Sequence, residues 1–259
     1  MHILLLLAVL DGSLGQSGVP SGLRRLGHSP PEEWIYDAIG MDNAYVSLIS
    51  GRLHLSNMPS KRRIENFPFS ASPPIAGNVS AVAQVRDSWL IGVDMGEFGG
   101  GMWWFNPASS RVVHILIPKV AAADDAYAAE NVVAFVRMKN EIVALVGLDH
   151  LGARSGRVCR VDCIRGACAV RVLALLDGAP RDWIVTDDTL LILTHGGVWQ
   201  VTSYDHARCV YTFHSPWWLQ PTSFVRLTDG TLFVGMEHFV LRLGPGLDAW
   251  EETWFETIR

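Results

Sequence analysis

The chain has 259 residues, 49% hydrophobic and 18% charged, with a formal net charge of −5. That balance belongs to a globular protein with a sizeable core, not to a disordered chain. Its basic residues are scattered, and the densest group, Lys61-Arg62-Arg63, reads as a solvated turn. Nucleic acid, which needs a concentrated basic face, is therefore not an expected partner.

The amino terminus opens MHILLLLAVLDGSLGQS. Ile3 to Leu10 is an apolar run of signal-peptide length, too short to span a bilayer. Ser13-Leu14-Gly15 supply small residues at the usual cleavage spacing, which would start the mature chain at Gln16, although no Lys or Arg precedes the run. Residues 1–15 thus read either as a signal peptide of a periplasmic or secreted protein, or as a hydrophobic strand of a cytoplasmic one. No later stretch reaches transmembrane length, so no membrane span is expected.

Residues 16–75 hold one strand pair, AYVSLIS and GRLHLSN, turning at Ser50-Gly51 and followed by a proline-bearing connection from Pro59 to Pro74. From residue 76 to 259 one phrase recurs: an apolar strand, a polar turn, a second apolar strand ending in Gly, and an aromatic strand. VSAVAQVRDSWLIGVD turns at Arg86-Asp87-Ser88 and VVAFVRMKNEIVALVG at Lys139-Asn140-Glu141. DWIVTDDTLLILTHGGVWQVT turns at Asp187-Asp188, and SFVRLTDGTLFVGMEHFVLRL at Asp229-Gly230, a two-residue hairpin signal. The equivalent positions Ser88, Glu141, Thr189 and Thr231 lie 53, 48 and 42 residues apart. Short strands at that period predict an all-β fold, a single β-propeller of about five four-stranded blades whose first blade is degenerate. Blades bury their faces against neighbours, so one cooperative domain is expected. The final WEETWFETI would complete the last blade or close the ring beside an amino-terminal strand.

The segment VCRVDCIRGACAVRV fixes a register. With a two-residue turn at Arg165-Gly166, Cys163 faces Cys168, Val161 faces Val170 and Cys159 faces Val172, leaving one apolar face. Cys163 and Cys168 are then close enough for a disulfide in an exported protein, or they pack as free thiols. The C-x3-C-x4-C spacing is not a usual zinc pattern.

In a propeller, the loop after the second strand and the loop leading to the next blade emerge on one face. This places Asp94, Gly147, His195 and Glu237 there, six residues after each aligned turn position. Glu97, Asp149, His150 and His238 lie around them, with Asn78, Glu130, Asn131, Arg181 and Thr222 where blades begin. Such a ring can bind a cation, a sugar or a partner's basic loop, although strand ends are polar in any propeller. No G-x-S-x-G, H-E-x-x-H, P-loop or EF-hand pattern marks a catalytic centre. GEFGGG resembles a glycine-rich phosphate loop, but no helix follows to supply oriented amides. Its glycines let the chain reverse or pass close to a neighbour, with Glu97 and Phe98 at the tip. Trp103 and Trp104 point to opposite faces of their strand. Trp217-Trp218 form a second aromatic knot, suited either to covering a blade core or to an interface.

At the level of GEFGGGMWWFNP, THGGVWQV and DGTLFVGMEHFVLRL, residues 76 to 256 resemble β-propellers of the WD40/YVTN and sensor-propeller type, although the WD dipeptide is absent at blade ends. A resemblance to calcium-dependent lactonase propellers would make Asp94, Asn131 and Glu237 ligands, but Thr222 stands where a second asparagine would be sought. A resemblance to exported propellers that inhibit another protein, immunity proteins among them, implies a protein partner. The expectation is a non-catalytic protein-binding propeller of the exported inhibitor or immunity type, without a cofactor. Its contact residues would be Asp94, Glu97, Phe98, Asn131, Arg181, His195, Trp217, Glu237 and His238. The alternative is a small-molecule or glycan site at the channel mouth, with a metal-dependent lactonase or hydrolase, calcium-bound, as its enzymatic extreme.

Overall fold

The computed structural model describes residues 23–27, 44–50, 52–56, 75, 77–119, 130–139, 141–150, 153–164, 167–186, 188–203, 206–214, 220–245 and 250–257. The 1–15 segment, Arg165-Gly166 and Trp217 lie outside them. Contacts divide the chain into two compact units, residues 62–209 and residues 1–61 with 210–259.

Residues 62–209 carry three antiparallel meanders. The first is β4 (Asn78–Val85), β5 (Ser88–Asp94), β6 (Gly100–Asn106) and β7 (Arg111–Ile115), in that order across the sheet. The second is β8 (Val132–Met138), β9 (Glu141–His150), β10 (Ala153–Ile164) and β11 (Ala167–Leu176). The third is β12 (Asp182–Thr186), β13 (Thr189–Leu193), β14 (Gly197–Ser203) and β15 (His206–Thr212), the last straddling the unit boundary. Apolar alternation explains the stacking. Leu90, Met102 and Trp104 of the first sheet share a core with Ala144, Val146 and Cys159 of the second. Val143, Leu145 and Val158 in turn pack with Leu190, Ile192 and Val201 of the third. The second sheet therefore buries both faces, as blades require.

The other unit holds β1 (Leu23–Gly27), the hairpin of β2 (Tyr45–Ile49) and β3 (Arg52–Ser56), and the meander of β16 (Pro221–Arg226), β17 (Leu232–Met236), β18 (Phe239–Leu243) and β19 (Glu252–Thr257). β19 completes its blade and also pairs with β1, giving the sheet order β1-β19-β18-β17-β16. The β2–β3 hairpin is the degenerate first blade. Its Val46 and Leu53 pack with Val225, Phe233 and Val240, and the Val46 amide donates to Ser223 Oγ at 2.8 Å. Among the described residues five sheets, four of them with a four-strand meander, give the β-propeller fold expected from the repeat.

The repeat shows how neighbouring blades are joined. β4, β8 and β16 each carry a register shift near their start, at Val79/Ala81, Val132/Ala134 and Pro221/Ser223. Two of these bulges send a hydroxyl to another blade: Ser80 Oγ donates to the Val132 carbonyl, and Thr222 Oγ1 donates to the Ala44 carbonyl at 2.6 Å. The glycine late in the second strand has a matching reason. A Cβ on Gly92 would strike Val132, and one on Gly235 would strike the Ala44 carbonyl.

Ser88, Glu141 and Thr189 each open a second strand, and Thr231 immediately precedes one. One turn differs from expectation. Asp229-Gly230 lies in a three-residue loop closed by the Leu227 amide donating to the Thr231 carbonyl at 2.8 Å, with Gly230 at φ 92°. Asp229 Oδ1 accepts from the Thr231 amide at 2.9 Å, which favours the wider loop with a bulge glycine.

Candidate functional site

The glycine-rich stretch after β5 forms one turn of 3-10 helix, Gly96–Phe98, before β6 begins. Asp94 Oδ1 accepts from the Gly96 amide at 2.8 Å, an Asx turn that starts the reversal. Gly96 and Gly99 have φ of 59° and 98°, the left-handed region in which a Cβ is strained. The loop is closed by the Met95 amide donating to the Gly99 carbonyl at 2.9 Å.

Asn131, fully buried just before β8, holds this loop from the next blade. Its Nδ2 donates to the Gly96 carbonyl at 2.8 Å, and its Oδ1 accepts from the Met95 amide at 3.3 Å. Its own carbonyl accepts from the Gly147 amide at 2.9 Å. Gly100 lies so close that an added Cβ would strike Asn131. The side chain expected to face a ligand is therefore a structural clamp.

At the loop tip Glu97 Oε2 lies 2.8 Å from His150 Nε2, an ion pair when the imidazole is protonated. The two atoms are close but off the line of a good hydrogen bond, since His150 Nε2 has no aligned partner. Phe98 beside them is 82% exposed.

β9 runs to His150, beyond the position matched to Asp94, so Gly147 lies inside the strand and Asp149 and His150 occupy its end. This corrects the six-residue offset for that blade; β9 and β10 form a longer hairpin than their counterparts. Asp149 then reaches the third blade. Its Oδ1 accepts from the Ala179 amide at 2.8 Å, and its Oδ2 lies 3.3 Å from Arg181 NH2. His195, after β13, stands by Gly178. Burial is the first cause pushing its imidazole below the ordinary value, followed by the charges of Arg154 and Arg181; Asp149 and Asp177 oppose them.

Asp177 is the participant that the sequence reasoning missed. Its Oδ1 accepts from Thr194 Oγ1 at 2.5 Å and from Trp199 Nε1 at 3.1 Å, joining the end of β11 to β13 and β14. The only signal was the Asp177-Gly178 turn dipeptide where the next blade begins. Asp94, Glu97, Phe98, Asn131, Asp149, His150, Arg181 and His195 thus form one continuous belt across three blades. Glu237 and His238 lie in the other unit, at the turn between β17 and β18. There the His238 carbonyl, at φ 58°, accepts from the Thr257 amide at 3.1 Å. Among the described residues no group of three His, Cys, Asp or Glu side chains is placed to hold a metal ion.

The hairpin of β10 and β11 has the register expected of it: Cys163 faces Cys168, Val161 faces Val170, and Cys159 faces Val172. Cys163 and Cys168 form a disulfide, with Cα atoms 4.1 Å apart. Cys159 is buried and Cys209 exposed, both as thiols. Burial pushes the Cys159 thiol up to about 12, against a smaller opposing effect of Arg157.

Neither protein-family models nor curated proteins match the chain. Solved structures do. It is similar to a streptogramin B lyase, with 13% identity over 67% of this chain and 53% of that one, at a TM-score of 0.41. It is also similar to a putative 6-phosphogluconolactonase from Bacteroides uniformis, with 11% identity over 74% and 59% of the two chains and a TM-score of 0.46. Virginiamycin B lyase from Staphylococcus aureus shares 11% identity over 90% and 73%, at a TM-score of 0.43. The chain spans little more than half the length of the first two, and the likeness is one of fold.

Proposed function

We propose that the protein is a non-catalytic binding module that engages a protein partner through the loop end of the residue 62–209 blades, with Phe98 as its anchor. The observation carrying this reading is that Phe98, 82% exposed, sits on a turn fixed from below by the buried Asn131. A large apolar side chain presented on an ordered support loses little conformational freedom on binding and suits the centre of an interface. The polar belt fits the same reading. Asp94, Asn131 and Asp149 direct their side-chain oxygens to backbone amides, and Asp149 also faces Arg181, so they are engaged in positioning loops. A pocket for a small molecule would instead turn such groups towards free space.

Export to an oxidising compartment, as for an inhibitor or immunity-type protein, is part of this proposal. The apolar start of the chain supports it, and so does the Cys163–Cys168 bond, because such bonds persist outside the reducing cytosol.

The test is affinity capture from a native extract on immobilised wild-type chain, on Phe98→Ala, and on Leu116→Ala as an exposed apolar control. A stoichiometric protein held by the wild type and the control but lost from Phe98→Ala is the expected result. Equal capture by all three, or no protein captured, overturns the reading.

A further inference from the structure

At the opposite end of the same strands, where first and second strands turn, lies a groove of about 350 Å3. It is lined by Gln84, Val85 and Arg86 of one blade and by Arg137, Glu141, Ile142, Val161, Asp162 and Cys163 of the next. Its origin is a mismatch of strand length. The pairing of β10 with β9 ends at Val161 opposite Ile142, whereas the pairing of β10 with β11 continues through Cys163 opposite Cys168 to Ile164 opposite Ala167. The disulfide-bearing end of the hairpin therefore overhangs the sheet, and Ile164 at its end is 66% exposed.

The groove carries charges of both signs. Arg160 Nε lies 3.1 Å from Glu141 Oε2 and 2.9 Å from Asp162 Oδ2, so one guanidinium is within ion-pair distance of both carboxylates and is hydrogen-bonded to Asp162. Arg137 donates to the Gln84 carbonyl, and Arg86 is exposed at the rim, its carbonyl accepting from Gln84 Nε2 at 3.1 Å. The groove lining itself carries two guanidinium groups, Arg86 and Arg137, and two carboxylates, Glu141 and Asp162, and it is the two carboxylates that Arg160 pairs with from outside that lining. With both carboxylates facing Arg160, an anion entering the groove meets Arg86 and Arg137, and Cys163 of the disulfide is among the residues that line it.

We propose that the Cys163–Cys168 disulfide is an exchange site for small carboxylate-bearing thiols, which dock at Arg86 and Arg137 and attack Cys163 Sγ. The incoming thiolate forms a new S–S bond to Cys163, the Cys163–Cys168 bond breaks, and its electron pair leaves on Cys168 as a thiolate. A second small thiolate then attacks the small-molecule sulfur of the mixed disulfide and releases the Cys163 thiolate. The protein disulfide is reduced by two electrons, and two small thiols are oxidised to one small disulfide. The arginines favour this course by raising the local concentration of the anionic thiol and by stabilising the thiolates formed.

The test measures the rate of disulfide loss in the folded full chain under 3-mercaptopropionate and under 2-mercaptoethanol, at equal thiolate concentration, by acid quench and intact mass. Comparing wild type with Arg86→Asn cancels the intrinsic nucleophilicity of the two reagents. The rate ratio favouring 3-mercaptopropionate should fall about fivefold in Arg86→Asn, the size expected of a screened surface charge, and should shrink similarly for the wild type in 0.5 M salt. The salt arm needs no substitution and stands if the variant misfolds. Peptide mapping of the trapped intermediate should place the adduct on Cys163. Ratios insensitive to both changes, an adduct on Cys168, or a disulfide inert to both thiols in the folded protein would overturn the proposal.

Discussion

Replacing Asn131 with Ala tests the core of the site. The substitution deletes two hydrogen bonds, Nδ2 to the Gly96 carbonyl at 2.8 Å and Oδ1 from the Met95 amide at 3.3 Å. Neither backbone group is left alone, because the Met95 amide also donates to the Gly99 carbonyl, and the Gly96 carbonyl also accepts from the Gly99 amide at 3.2 Å. The penalty for stranded polar groups is thus small, and the cost is that of the two bonds, about 2 kcal/mol at ~1 kcal/mol each. For a chain of this size that lowers Tm by roughly 4–8 °C. The loss should be local as well as global. Amide exchange at Phe98 and Gly99 should accelerate by about 30-fold, the equivalent of 2 kcal/mol, while β13 amides change far less. Asn131→Asp should be worse than Ala, because it sets a carboxylate oxygen against the Gly96 carbonyl in a buried position. Unchanged exchange at residues 95–99 in Asn131→Ala would refute the clamp, and with it the rigid support claimed for Phe98.

Two further outcomes follow from titrating groups. The folded pKa of His195 is depressed, so the unfolded chain takes up its proton first as pH falls. Stability from this residue is therefore full above its ordinary value near 6.5 and declines as pH drops below it. Urea melts between pH 7.5 and 5 should lose less stability in His195→Gln than in the wild type, and equal slopes would remove His195 from the belt's electrostatics. Iodoacetamide at pH 8 should label Cys209 alone in the folded chain, because Cys159 is buried and its thiol is pushed up to about 12. Intact mass should show one adduct when folded, two in denaturant without reductant and four after reduction; two adducts on the folded protein would contradict that burial.

The blades were legible because two signals agree at each one. Short, nearly continuous apolar runs mark the strands, and a polar turn separates the first from the second, as at Arg86-Asp87-Ser88 and Lys139-Asn140-Glu141. That is why strand openings at Ser88, Glu141 and Thr189 lie where the repeat puts them. An amino-terminal strand beside the final WEETWFETI was expected, but that LRRLG is that strand was not legible: it buries only Leu23 well, and it is a strand because β19 offers it an edge. The length of β9 was missed for a related reason, since Leu148, Asp149 and His150 pair with Ser155, Arg154 and Ala153 through backbone groups that any sequence carries.

The belt shows a different limit. Composition at strand ends identifies which residues are polar but not where their lone pairs point. Asn131 and Asp149 suit a ligand site by type, and both are turned inward, onto Gly96 and Met95 in one case and Ala179 and Arg181 in the other. Once those groups are engaged, the chemistry left at the loop tip beside them is the Glu97–His150 pair and the ring of Phe98. On the binding-module proposal, polar residues that could have formed a ligand cage serve instead to support the exposed Phe98. The glycines of GEFGGG serve the same end: Gly96 and Gly99 permit the reversal, and Gly100 lets Asn131 approach closely enough to hold it. Substituting Asn131 should therefore weaken partner capture along with Phe98→Ala although Asn131 is fully buried, whereas a cage of ligands would make Asp94 and Asp149 the sensitive positions and leave Phe98 neutral.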